Sequence, residues 1–186
     1  MDASVAPLHN GRTHYPGGRM RVFAAATLLF LTASSIANAA EPAVPAKPQG
    51  DPAVRQLLDE LKYRYDVDEE GDYRLTFGMD EEKDGRSQLV FVRSPVETYG
   101  SHRVREIWSP AYLSATDEFP AKIATRLLEA TQESKLGAWS KQGRYAVFVV
   151  KLPADASASE LDDAVEAALR TADEMEQELS PGKDEF

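Results

Sequence analysis

Between Asp51 and Leu179 the spacing of apolar positions changes period several times, and each change predicts an element. Ala53, Val54, Leu57, Leu58 and Leu61 recur at helical spacing and predict a first helix. Asp51 is its expected cap, and Pro52 suits the first helical position, where a missing N–H forfeits nothing. The period then drops to two. Tyr63, Tyr65 and Val67 alternate with Arg64 and Asp66, and Tyr73, Leu75, Phe77 and Met79 alternate with Arg74, Thr76 and Gly78. The charged turn Asp68–Asp72 between these runs makes them a β-hairpin with one buried face. A second charged turn, Asp80–Gly85, leads to Gln88–Arg93 (QLVFVR), a strand apolar on both faces. Ser94–Ser101 reads as a loop. Val104–Tyr112 predicts a fourth strand, and Pro110 places its end at an edge or in a bulge.

Thr116-Asp117 predicts the start of a second helix, with Asp117 as cap and Pro120 in the first turn. Phe119, Ile123 and Leu127 form its inner stripe, with Leu128 beside them. Leu136–Lys141 and Arg144–Leu152 predict two strands joined at Gln142-Gly143. Tyr145–Val150 (YAVFVV) is apolar on both faces, as in a central strand. Ser157-x-x-Glu160 has the form of a capping box. It opens a third helix whose stripe is Leu161, Val165, Ala168, Leu169, Ala172, Met175 and Leu179, stopped by Pro181-Gly182. The predicted fold is α+β: an antiparallel sheet of about five to six strands with helices packed on it, in the order α-β-β-β-(β)-α-β-β-α.

The first forty residues follow a different logic. Arg21 supplies a positive charge after Met20, Val22–Ile36 is uncharged and mostly apolar, and Ala37-Asn38-Ala39 places small residues where a signal peptidase reads. These are the parts of a cleavable secretory signal. The apolar run is about 15 residues, short of the roughly 20 that span a bilayer. Residues 1–39 therefore read as a signal peptide, with cleavage near Ala39 and a periplasmic or secreted product. Residues 1–19, polar and upstream of a complete signal, read as an over-extended start, with a long leading region as the alternative. Residues 40–50 (AEPAVPAKPQG) read as a Pro/Ala-rich linker, 51–180 as the folded domain, and 181–186 as a disordered acidic tail.

Cleavage removes Arg12, Arg19 and Arg21 but only Asp2 among the acids, so the net charge moves from −10 to about −12. Such a surface repels phosphate backbones and anionic membranes. There are no cysteines, so packing alone holds the fold. His102 is the only histidine left after cleavage, which excludes metal sites with several His or Cys ligands. Asp66-x-Asp68-x-Glu70-Gly71 imitates the start of an EF-hand loop, but the twelfth position is Phe77 and strands flank it. A charged hairpin turn accounts for these residues, and neither a metal nor a cofactor is expected. There is no G-x-S-x-G elbow and no Gly-rich phosphate loop. One catalytic alternative stands: a hydrolase using His102 with Ser101 or Ser109 and a carboxylate.

The order of elements and several motifs together resemble the YbjN family, whose fold is similar to type III secretion chaperones. The resemblance spans most of Asp51–Leu179. It rests on the short leading helix running into Tyr65-Asp66-Val67-Asp68 and GDYRLTF, and on Leu136-Gly137-Ala138-Trp139 before an apolar strand ending in Lys151-Leu152-Pro153. The last helix, ELDDAVEAALRTADEMEQEL, carries the Ala-Asp-x-Met pattern such proteins often show. The resemblance implies a binding or chaperone-like module, often dimeric, with no catalytic residues to carry over. Those secretion chaperones are cytosolic, whereas this chain carries an export signal of its own.

The expected function is therefore an exported, non-enzymatic module that binds a protein or peptide, with a homodimer as a further expectation. Glu106-Ile107-Trp108-Ser109-Pro110 mixes polar and apolar residues and suits the rim of a groove. Ile107, Trp108 and Trp139 are the candidate partner-binding residues.

Overall fold

The computed structural model describes residues 48–79 and 85–186. The segment read as a signal peptide, most of the linker and the charged turn at 80–84 lie outside the described residues. In chain order the elements are α1 (Pro52–Glu60), β1 (Asp66–Val67), β2 (Tyr73–Gly78), β3 (Ser87–Val92), β4 (Glu97–Tyr99), β5 (His102–Leu113), α2 (Ala121–Glu133), β6 (Ala138–Gln142), β7 (Tyr145–Pro153) and α3 (Ala158–Leu179). The strands form one antiparallel sheet in the order β1-β2-β3-β5-β7-β6, with β4 paired to the start of β5. The chain is α+β, as its periodicity predicts. Among the described residues no helix is long and apolar enough to cross a membrane.

Helices cover one face of the sheet. Val54 and Leu58 of α1 and Leu161, Ala164, Val165 and Ala168 of α3 pack on Tyr73, Leu75, Val90, Val92, Ile107, Phe148 and Val150. A second cluster joins Leu127 of α2 and Ala172 and Met175 of α3 to Ala111 and Ala146. Trp139 packs against both clusters, edge-on to Phe148 at 5.3 Å. The bulge between Pro110 and Tyr112 turns Ala111 and Tyr112 toward the same cluster, which strict alternation would forbid.

Helix ends follow local chemistry. The Asp51 side chain accepts from Ala53 N–H at 2.8 Å and caps α1. Ser157 and Glu160 complete a reciprocal capping box at α3. The start of α2 differs from expectation: it begins at Ala121, after Pro120, with no side-chain cap. Asp117 does not cap because proline disfavours helical geometry at the residue before it, here Phe119. The turn is closed instead by Ser114 and Thr116, whose hydroxyls donate to the Glu118 carbonyl at 2.7 and 2.9 Å. The predicted loop Ser94–Ser101 contains the short strand β4, all of whose residues are exposed.

Pro181–Phe186, read from the sequence as a disordered tail, makes several bonds to the domain. Asp184 Oδ1 accepts from Ser87 N–H at 3.2 Å, and Glu185 N–H donates to Glu176 Oε1 at 2.8 Å. Glu176 is fully buried, and an ionised carboxylate there needs donors. The tail supplies one, which gives it a reason to stay.

A polar network ties α1 to the sheet. Arg105 Nη2 donates to Asp51 Oδ2 at 2.6 Å, and Nη1 donates to the Arg93 and Ser94 carbonyls at 2.8 and 2.7 Å. Burial pushes the Asp51 carboxyl up, but the bonds from Arg105 and Ala53 N–H and the Arg105 charge outweigh it and hold the group below its ordinary value. A carboxyl depressed on folding contributes stability that is full above its unfolded value and lost as pH falls through its folded one. The expected result is that Asp51→Asn destabilises the protein markedly at pH 7 and much less at pH 3. Urea unfolding of both proteins at each pH measures it, and an equal deficit at both pH values contradicts it.

Candidate functional site

The alternation of strand side chains leaves a second face to the sheet. Cross-strand pairing sets Thr76 opposite Leu89, Arg74 opposite Phe91, Phe91 opposite Trp108, Trp108 opposite Val149, and Pro110 opposite Val147. These residues point away from the helices, because their neighbours Leu75, Val90, Ile107 and Phe148 are in the helix-covered core. The result is an apolar surface crossing β3, β5 and β7. At the end where β3 begins it deepens into a groove of about 380 Å³ lined by Leu89, Phe91, Trp108, Pro110, Tyr145 and Val147, with Glu185 and Phe186 at its side.

Charged groups frame Trp108. Its indole N–H donates to Glu106 Oε2 at 2.8 Å, and Glu106 pairs with Lys151 at 3.1 Å. The Arg93 guanidinium lies over the ring, 4.3 Å from its centroid. Arg93 is held in turn by Asp72 at 2.9 Å. Burial pushes the Asp72 carboxyl up, against the Ser94 N–H bond and the Arg93 charge. The arrangement presents a flat, fixed aromatic surface with a stacked cation, which suits contact with apolar and aromatic side chains.

The three partner-binding candidates do not share a surface. Trp108 is half-buried on the open face. Ile107 is fully buried beneath α3 and offers a partner nothing, which corrects the expectation for it. Trp139 faces the helices, and its indole N–H is buried without a hydrogen-bond partner among the described residues. The residues that complete the open face with Trp108 are Leu89, Phe91, Pro110, Tyr145, Val147 and Val149. Their signal was present: QLVFVR and YAVFVV are apolar on both faces, which leaves an apolar second side wherever helices cover only the first.

His102 begins β5, beside the β4 hairpin, and is exposed. An open hollow of about 410 Å³ places it near Ser101 and Asp155, but no hydrogen bond joins these groups among the described residues. Ser109 lies seven residues further along the strand, about 23 Å away at 3.3 Å per residue. It is buried, and its hydroxyl donates to the Leu89 carbonyl at 2.6 Å. His102 and Ser109 therefore form no catalytic pair.

Asp68, Glu70 and Asp72 bring carboxylate oxygens within 4.8 Å of one another. Asp68 Oδ1 accepts from the Glu70 and Asp72 N–H groups at 3.0 and 2.9 Å, the pattern of a turn closed by its own side chain. Arg93 supplies a cation beside Asp72. The flanking elements are β1 and β2, and Phe77 packs edge-on against Tyr63 at 5.6 Å. The bonds to Asp68 place the three carboxylates in the hairpin turn between β1 and β2.

No model of a known protein family matches this chain, and no curated protein matches it either.

Proposed function

We propose that the chain is an exported, non-enzymatic module that binds a protein or peptide on the open face of its sheet. The observation that carries this reading is the apolar groove of half-buried Leu89, Phe91 and Trp108, floored by buried Pro110 and Val147 and uncovered by any helix among the described residues. Apolar grooves rimmed by polar residues are a usual form of interaction site. Export rests on the signal at Met20–Ala39 and places the module in the periplasm or outside the cell. The resemblance to the YbjN family supports a binding scaffold and adds a homodimer as one partner arrangement.

Photo-crosslinking in the native compartment tests the reading. Thr76 is exposed on the open face, and Glu174 is exposed on α3. A photoreactive residue at position 76 is expected to yield discrete protein adducts, and one at position 174 none of the same size. An adduct of twice the chain's mass identifies a second copy as the occupant. Identical or absent adducts from both positions count against the open face as a binding surface.

A further inference from the structure

The last residues connect the two sides of the sheet. Gly182, at φ +77°, turns the chain after α3, and Lys183 N–H donates to the Ser180 carbonyl at 3.0 Å. The tail then passes the end of the sheet where β3 begins. Asp184 takes the Ser87 N–H, Glu185 gives its own N–H to buried Glu176, and the Phe186 ring lies edge-on to Tyr145 at 6.1 Å. Phe186 thereby becomes part of the wall of the open-face groove with Trp108, Pro110 and Val147. An acidic side chain, a backbone N–H and an aromatic ring, from three successive residues, each meet a separate group of the domain.

We propose that residues 184–186 act as an internal ligand, and that the groove takes an extended segment of a partner protein with the same pattern. That pattern is an acidic residue, then a residue contributing its backbone N–H to Glu176, then an aromatic residue beside Tyr145. The inference rests on the reading of the open face as a binding surface and names what that surface selects. The tail is the direct ground for this choice of occupant, since a peptide of that chemistry already sits there. A tethered segment competes at an effective concentration on the order of millimolar, so the chain's own tail holds the Glu176 and Tyr145 side of the groove until a better ligand displaces it.

The test uses the mature chain, its Phe186→Ala variant, and a fluorescently labelled peptide Gly-Lys-Asp-Glu-Phe, the sequence of residues 182–186. Anisotropy is expected to show at least ~10-fold tighter binding to the variant than to the unaltered chain, because the competing ring is gone. A peptide with Ala in place of Phe is expected to lose that binding. Adding Tyr145→Ala to the variant is expected to weaken it about fivefold through loss of the aromatic contact. Tyr145 is 43% exposed, so this change leaves the core intact, and circular dichroism checks it. Equal binding to both proteins, no binding to Phe186→Ala, or unchanged binding of the Ala peptide overturns the inference. Crosslinks from position 76 together with no peptide binding overturn this inference alone, whereas absence of both removes the binding surface as well.

Discussion

Replacing Arg105 with Met is expected to lower folding stability by about 3 kcal/mol, the lower end of the range for breaking a buried ion pair. The Arg105 side chain is 7% exposed and joins three groups: the Asp51 carboxylate and the carbonyls of Arg93 and Ser94. Methionine fills much of the volume but leaves Asp51 without its counter-ion and two carbonyls without their donor. Unmet acceptors carry a desolvation penalty of their own. Asp51 is 24% exposed on its side chain, so water recovers part of the loss, and this sets the estimate at the lower end. The damage is directional. Asp51 caps α1, so the helix loses both its cap geometry and its link to β5. Thermal unfolding should shift down by about 10 °C for a domain of this size. Arg105→Lys should recover only part, because an ammonium cannot reach three acceptors from one plane. A double-mutant cycle with Asp51→Asn isolates the pair. A loss under about 1 kcal/mol, or no coupling in the cycle, contradicts the assignment.

That network illustrates which parts of the molecule were legible in the chain. Asp51 announces itself as a cap through Pro52 and the apolar spacing that follows, and Ser157 does so through Glu160. Arg105 gave no such signal. It lies within a strand-forming run, and nothing local says that its partner is Asp51, more than fifty residues away. The same limit explains β4, whose residues Glu97, Thr98 and Tyr99 are all exposed and show no buried alternation. It explains the start of α2 differently. There two local rules conflict, a good capping residue at Asp117 and the restriction that Pro120 imposes on Phe119, and the restriction prevails.

The candidate surface was half legible. Ile107 and Trp108 are adjacent in a strand, so period two sends them to opposite faces. Only one could serve a partner, and the deep burial of Ile107 selects Trp108. Apart from Pro110 on β5, the remaining open-face residues come from β3 and β7, whose two-sided apolar runs are compatible with a sheet covered on both sides. The three helices among the described residues lie on one side, and that arrangement is a property of the assembled fold. Composition alone does not reveal what the tail bonds to, because Glu176, which accepts from Glu185 N–H, is a buried acceptor far from the surface pattern. Burial pushes the Glu176 carboxyl up, while the Glu185 N–H and Arg86 act to keep it charged.

Gly137→Ala is expected to cost about 3 kcal/mol, well above the ordinary penalty for adding a methyl group to a turn. Gly137 has φ +104°, a conformation that L residues rarely adopt, and a Cβ there would lie 2.7 Å from the Val149 carbonyl oxygen and 2.8 Å from the Phe148 ring. Neither neighbour yields easily. Val149 is paired with Ala138 in the β6–β7 ladder, and Phe148 is fully buried against Trp139. Gly143 supplies the control, because it has φ +57° but open space around its Cβ position. Gly143→Ala should cost about 1 kcal/mol, the backbone strain alone. Chemical unfolding of both variants measures the difference, and equal losses would show that crowding contributes nothing. The consequence reaches the functional reading. Leu136-Gly137-Ala138-Trp139 is among the motifs that carry the family resemblance, and its glycine is required where backbone, Phe148 and Trp139 meet inside the helix-covered side. The motif therefore specifies how β6 closes onto β7. A resemblance built on it concerns the scaffold, while the proposed binding surface around Trp108 lies on the opposite face.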